Sequence, residues 1–245
     1  MNAFREQKCG RLSCVLFDST PEALPERVVL MCHGFGASGE DLVPLAPELV
    51  RLDPAGLART RFVFPAAPLD LAQFGIPGGR AWWPIDMMKL QRASQTGEFR
   101  DLRREVPSAM PQVRELLSET VDVLKKETGL GIDRFVLGGF SQGSMATTDL
   151  MLHLDTKPGG QIVFSGTLLC EDAWRSRAKG LAGLRIMQSH GTMDNILPFS
   201  LAEELRDLFR DGGAEVDWVP FRNGHTIPGE AMRAAAKLIG AVTGS

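Results

Sequence analysis

A serine between two glycines is the feature of this sequence that could do chemistry. The run Gly139-Phe140-Ser141-Gln142-Gly143 follows an apolar, strand-like stretch and precedes a stretch compatible with a helix. A strand, a sharp turn and a helix in that order would lift the Ser141 hydroxyl clear of the backbone. Glycine on either side would let neighbouring backbone approach the turn closely. The pattern therefore predicts nucleophilic attack by Ser141 on an acyl carbonyl, as in ester or thioester hydrolysis.

A serine hydroxyl needs a base to take its proton, and four histidines are available. When a nucleophile of this kind lies on a strand–turn–helix, its partners follow along the chain in the order acid and then histidine, so the base comes late. His225 follows the last strand-like run. His190 ends an earlier strand-like run and is the alternative base. His153 falls within a helical pattern, where a surface or core role is the simpler interpretation. Chain order therefore favours His225.

The imidazole base needs an acid to fix its tautomer, and that acid should follow a strand between Ser141 and His225. Asp194 lies in a turn after such a strand-like run and is the predicted acid. Asp172 also follows a strand, but its neighbours are typical of the start of a helix. Asp217 falls inside the last strand, where an outward-facing charge explains it.

An oxyanion formed during acyl transfer needs two hydrogen-bond donors. The backbone N–H after the nucleophile, that of Gln142, is the first candidate. The second should come from the loop after an early strand, and His33-Gly34-Phe35-Gly36 is that loop. We expect the Phe35 N–H to be the donor. A tight turn into the next helix would explain the same glycines.

The elements that must position these residues alternate between apolar runs and helical patterns. Continuous apolar runs indicate strands buried on both faces of a mostly parallel sheet, and the alternating run 12–17 indicates an antiparallel edge. The order predicts an α/β fold with helices on both faces. The strand-like runs are 28–32, 61–64, 134–137, 161–164, 184–188 and 216–221, and the helical ones are 38–49 behind a capping box, 106–124 ending at Gly129, 144–154, 197–209 and 228–239.

The segment 69–105 breaks this alternation, because it contains no clean strand or long helix and is punctuated by glycine and proline. A loop of this length in a compact domain is usually functional, so we interpret it as a lid-like insert that forms a pocket wall. Large apolar side chains here are costly to leave in water. The predicted substrate-binding residues, here and beside the acid, are Phe74, Trp82, Trp83, Met87, Ile196 and Leu197.

Composition narrows the class of protein. A chain of 245 residues with 44% hydrophobic and 23% charged residues is typical of one globular domain spanning 1–245. A net charge of −3 does not indicate a basic surface that would bind nucleic acid, and no apolar run is long enough to span a bilayer. The N-terminus lacks a signal-peptide core, so we expect a cytoplasmic protein. The four scattered cysteines lack metal-ligand spacing, so we expect neither a metal nor another cofactor. The sequence is compatible with a homodimer.

Several motifs in order resemble the phospholipase/carboxylesterase family of α/β-hydrolases, which includes acyl-protein thioesterases. The resemblance runs from about Val28 to Met232, and its motifs are those at 32–42, 62–68, 79–83, 138–143, 189–194 with Pro198, and 224–225. It implies an α/β-hydrolase fold, a triad of Ser141, Asp194 and His225, and an oxyanion hole from the amides of Phe35 and Gln142. It also implies a small or acyl-chain ester as substrate, within a range that includes thioesters and lysophospholipids.

The chain departs from the family pattern at Ser144, where another glycine is usual, and in the length of the insert after Trp83. The second departure bears on acyl-chain selectivity, because the insert borders the expected acyl pocket. Two other functions fit the same fold: an acyltransferase that uses the same triad, and a catalytically silent binding module. The intact triad favours hydrolysis over both.

Overall fold

A mostly parallel sheet of eight strands forms the centre of the fold. A computed structural model describes residues 4–86 and 103–242 of the chain. The strands are β1 Phe4–Cys9, β2 Leu12–Asp18, β3 Arg27–Cys32, β4 Thr60–Pro65, β5 Leu69–Asp70, β6 Arg80–Ala81, β7 Phe135–Phe140, β8 Gly160–Phe164, β9 Arg185–Gly191 and β10 Glu215–Phe221.

The strand order in this sheet is β1-β2-β4-β3-β7-β8-β9-β10. The pairs β1–β2 and β2–β4 are antiparallel, and every later pair in the order is parallel. All residues of β3 and β8 are buried, as expected for strands covered on both faces. Strands β5 and β6 form a separate antiparallel pair.

Helices cover both faces of the sheet. They are α1 Leu45–Leu52, α2 Met110–Thr128, α3 Gln142–His153, α4 Glu171–Ala178, α5 Phe199–Asp211 and α6 Gly229–Gly240. The apolar sides of α2 to α5 join one hydrophobic cluster, and those of α1 and α6 join the other. This confirms the predicted α/β fold. No helix in the described part of the chain is long and apolar enough to cross a membrane.

The structure differs from the sequence prediction in several places, one of which is the segment 69–105, where the short strands β5 and β6 pair although no strand is predicted. Strand β1 was not predicted; it pairs with β2 and makes β1, not β2, the edge strand. The capping-box motif at Ser38 starts a series of turns, and α1 begins only after Pro44, whose fixed φ and missing N–H suit the start of a helix. Helix α2 begins at Met110 and leaves Val106 exposed, although Gly129 ends the helix with a φ of 72° as predicted.

Candidate active site

Ser141 occupies a strained turn between β7 and α3. Its φ is 53° and its ψ is −122°, a region that residues with a side chain rarely adopt. The turn is held by the Ser141 N–H, which donates to the Phe164 carbonyl over 2.9 Å. Strain of this kind costs on the order of 1–3 kcal/mol and persists only where the surrounding structure imposes it. This is the backbone geometry that the sequence motif predicts.

The glycines around Ser141 are required by close backbone contacts. A Cβ at Gly143 would lie 2.1 Å from the Cys32 carbonyl oxygen, and one at Gly139 would lie 2.5 Å from the same atom. A Cβ at Gly34 would lie 3.4 Å from the Ser141 Cβ. The end of β3 and its loop therefore pack directly against the turn that carries Ser141.

Ser144 stands where the resemblance leads us to expect a glycine, and the structure gives its hydroxyl a partner. The Ser144 Oγ donates to the Ser141 carbonyl over 2.7 Å, and the side chain is fully buried. A Cβ at Gly166 would lie 2.2 Å from this hydroxyl, so the absence of a side chain there makes room for Ser144.

His225 and Asp194 form a close hydrogen-bonded pair at the carboxyl end of the sheet. The distance between His225 Nδ1 and Asp194 Oδ2 is 2.6 Å. Since an ionised carboxylate only accepts, the hydrogen bond requires a proton on Nδ1. The centroid of the His225 ring lies 4.7 Å from that of Phe140, the residue before Ser141. The structure thus brings the predicted base and acid together, with the base packed against the residue that precedes Ser141.

Backbone amides hold the other oxygen of Asp194. Its Oδ1 accepts from the N–H groups of Ile196 and Leu197, each over 2.9 Å. Burial acts to raise the pKa of Asp194, but the hydrogen bond and charge of His225 together with the Leu197 and Ile196 N–H bonds outweigh it, so this pKa lies below its ordinary value. The carboxylate is therefore ionised at neutral pH, as an acid that orients the imidazole must be.

His190, the alternative base, is fully buried behind this pair. Its Nε2 donates to the Leu197 carbonyl over 2.9 Å and lies 3.3 Å from Asp194 Oδ2. Burial lowers the pKa of His190, so the ring is neutral at neutral pH. The His190 imidazole therefore stabilises the loop that carries Asp194. Its position before Gly191 at a strand end indicates proximity to the site, and chain order favours His225 as the base, but the contact of His190 with Asp194 has no signal in the sequence.

The loop after β3 presents the predicted oxyanion donor. The Phe35 N–H donates to none of the described residues. His33 precedes it, and its Nδ1 donates to the Gly34 carbonyl over 2.8 Å while its Nε2 accepts from the Ala67 N–H over 3.0 Å. Burial lowers the pKa of His33, in keeping with a neutral ring that both donates and accepts.

Gln142 contributes more than its backbone N–H. Because it is the first residue of α3, that N–H is one of the donors without a partner inside the helix. Its buried side chain accepts from the Trp82 N–H over 2.9 Å and donates to the Trp83 carbonyl over 2.8 Å. The sequence motif gave no indication of this side-chain role.

The predicted substrate-binding residues differ widely in exposure. Phe74 and Ile196 are 60% and 39% exposed, whereas Trp82, Trp83 and Leu197 are buried. Leu197 uses its backbone N–H and carbonyl to hold Asp194 and His190. Met87 lies outside the described residues, as does most of the insert after Trp83. Contact of these side chains with substrate stays a prediction.

A cavity of about 400 Å³ lies away from the predicted site residues, between the β1–β2 hairpin and the turn at residues 38–40. Lys8, Cys14 and Glu40 are among the residues that line it, and none of the predicted site residues does. Cys14 and the other three cysteines are buried and free.

A mostly parallel sheet, a strained serine at the end of β7, and an acid–histidine pair after later strands define an α/β-hydrolase. Two solved structures share this fold. The carboxylesterase from Mesorhizobium loti has a TM-score of 0.75 and 18% identity and covers 98% of this chain and 100% of its own. The Bacillus cereus carboxylesterase has a TM-score of 0.68 and 19% identity and covers 95% of each chain.

The chain belongs to the phospholipase/carboxylesterase family, whose model matches residues 19–243. Acyl-protein thioesterase 1 of Eremothecium gossypii is 31% identical over 181 residues, which are 74% of this chain and 71% of that protein. The protein of the same name from Saccharomyces cerevisiae is 25% identical over 187 residues, 76% of this chain and 78% of its own. Family membership makes the chain a serine hydrolase of the carboxylic-ester class.

Proposed function

We propose that Ser141, Asp194 and His225 cleave acyl esters and thioesters through an acyl-enzyme on Ser141. The observation that carries this proposal is the 2.6 Å hydrogen bond between His225 and Asp194, next to the strained turn of Ser141. With its proton on Nδ1, the imidazole has Nε2 free to act as a base. The proposed oxyanion hole consists of the Phe35 and Gln142 amides.

The reaction proceeds in two halves. His225 Nε2 takes the Ser141 proton as Oγ bonds to the substrate carbonyl carbon, and the carbonyl oxygen becomes an oxyanion held by the Phe35 and Gln142 N–H groups. The bond to the leaving group then breaks, and the alcohol or thiol departs with the proton from His225. Water attacks the acyl-enzyme, His225 takes its proton, and Ser141 leaves with that proton. Asp194 keeps the imidazole in one tautomer throughout.

The substrate is proposed to be a small or acyl-chain ester, with thioesters included because the similar yeast and Eremothecium proteins are named acyl-protein thioesterases. The exposed Phe74 and Ile196 are the described apolar residues that we propose to contact an acyl chain. Lysophospholipid is the third class to test. Turnover of nitrophenyl esters, acyl-CoA and lysophospholipid at several chain lengths would rank these substrates.

The Ser141→Ala variant tests the nucleophile. Removing a triad serine lowers kcat by a factor on the order of 10⁶, so hydrolysis of a nitrophenyl ester should fall to background, and a fluorophosphonate probe should no longer label the protein. The matched control is Ser176→Ala on the exposed side of α4, which should hydrolyse and label as wild type does. Unchanged hydrolysis by folded Ser141→Ala protein would remove Ser141 from the mechanism.

The proposal also covers the domain organisation, the cellular location and the class of binding partner. We propose that residues 1–245 form one domain, because helices from both halves of the chain cover one sheet. A cytoplasmic location is supported by four cysteines that are buried and free. The net charge of −3 favours small-molecule substrates over nucleic acid.

A further inference from the structure

The two proposed oxyanion donors belong to different elements, and one residue is bonded to both. Phe35 lies in the loop after β3, while Gln142 begins α3. Trp82 donates its backbone N–H to the Gln142 side chain over 2.9 Å and its indole Nε1–H to the His33 carbonyl over 2.9 Å. Trp82 is 1% exposed, so these bonds are shielded from water.

The bonds from Trp82 reach the Phe35 amide through a fixed peptide plane. Trp82 holds the His33 carbonyl, and the His33 ring in turn donates to the Gly34 carbonyl. The Gly34 carbonyl and the Phe35 N–H belong to the same planar trans peptide, so they point in opposite directions. Fixing the carbonyl therefore aims the N–H away from His33.

The neighbours of Trp82 strengthen this connection. Arg80 accepts from the Gly36 N–H over 2.9 Å and donates its own N–H to the Ala37 carbonyl over 3.0 Å. The Gln142 side chain donates onward to the Trp83 carbonyl over 2.8 Å. The segment Arg80–Trp83 is thus bonded to the oxyanion loop on one side and to the nucleophile turn on the other.

We infer that Trp82 is a positioning residue for the oxyanion hole, not a wall of the acyl pocket. This inference rests on the proposed function of Ser141 and deepens it. A wall residue would contact the acyl chain, so its loss would be felt most by long substrates. A residue that aligns the Phe35 and Gln142 amides acts at the carbonyl, which every ester shares.

The Trp82→Phe variant tests this inference, because it keeps the backbone bond to Gln142 and removes the indole bond to His33. Losing one oxyanion donor outright lowers kcat by about 10²–10³, so a misaligned donor should lower kcat about 10- to 100-fold. The loss should be the same for acetate and long-chain nitrophenyl esters, with KM little changed. Affinity for an alkyl trifluoromethyl ketone, which becomes an oxyanion when Ser141 adds to it, should fall in parallel.

Trp174→Phe is the matched control. Trp174 is a buried tryptophan whose indole donates to Asp149 Oδ1 over 2.9 Å, and both residues lie on the helices α4 and α3, away from the oxyanion loop. The control loses the same kind of bond and should lower the free energy of unfolding while leaving kcat unchanged. A second variant, Gln142→Met, removes both side-chain bonds and should reproduce the uniform loss if Trp82→Phe does not fold.

Two results would overturn the inference. One is a loss that grows with acyl-chain length, which would make Trp82 a pocket wall. The other is a wild-type kcat and ketone affinity in folded Trp82→Phe protein. Both leave Ser141 as the nucleophile, whereas activity in Ser141→Ala would reject the proposed function itself.

Discussion

Replacing Asp194 with asparagine exchanges one carboxylate oxygen for an NH₂ group, and the surrounding hydrogen bonds determine the orientation of the new side chain. Oδ1 accepts from two backbone N–H groups, so the asparagine oxygen has to remain there. Its amide nitrogen then takes the place of Oδ2, which lies 2.6 Å from His225 Nδ1 and 3.3 Å from His190 Nε2. Both of those ring nitrogens donate in the wild-type protein.

A donor facing a donor forces His225 to change tautomer. Nδ1 must then accept from the amide, and the proton moves to Nε2, where Ser141 needs a lone pair. A wrong tautomer costs a serine triad about 10⁴ in kcat, which is about 5 kcal/mol at 1.36 kcal/mol for each factor of ten. Reversing the amide would instead aim NH₂ at two backbone donors, so rotation offers no escape.

The assay is steady-state hydrolysis of a nitrophenyl ester, with urea unfolding to show that the variant is folded. Asp172→Asn, at the exposed start of α4, is the control and should retain wild-type kcat. A folded Asp194→Asn protein whose kcat stays within tenfold of wild type would refute the reasoning, since the predicted tautomer would not control the rate.

Two further predictions concern stability. Burial lowers the pKa of His33 and His190 from 6.5, so the unfolded chain takes up protons that the folded protein does not as the pH falls below about 6.5. Urea unfolding should therefore show stability decreasing from pH 7 towards pH 5, and less steeply in His190→Gln; a flat profile would contradict neutral buried rings. Ser144→Ala loses the 2.7 Å bond to the Ser141 carbonyl and should lower the free energy of unfolding by about 1 kcal/mol, with kcat changed less than tenfold. A hundredfold loss of kcat would give Ser144 a catalytic part.

The main strands and the order of the site residues could be predicted because each depends on local signals. Buried parallel strands are continuously apolar, and the motif around Ser141 specifies its own turn. The positions of Asp194 and His225 follow from strand order, because the carboxyl ends of parallel strands share one edge of the sheet.

The roles of the buried side chains that hold the site residues in place could not be predicted, because these roles depend on contacts between distant segments. Trp82 and Gln142 are 60 residues apart, and nothing in either local sequence shows that they bond. Chain order favours His225 over His190 as the base, but only the structure shows that His190, near the end of β9, contacts Asp194 and the Leu197 carbonyl. Strand β1 was missed because its exposed, alternating face is rich in polar residues.

The backbone at Ser141 has a consequence for how this protein can change. A φ of 53° is costly for serine but natural for glycine, which lacks the Cβ that makes the conformation strained. The turn therefore sets activity against stability at a single position: the residue that suits the backbone best is one that cannot attack a carbonyl. The Ser141→Gly substitution would relieve this strain and remove the proposed nucleophile, so selection for stability alone would favour the glycine.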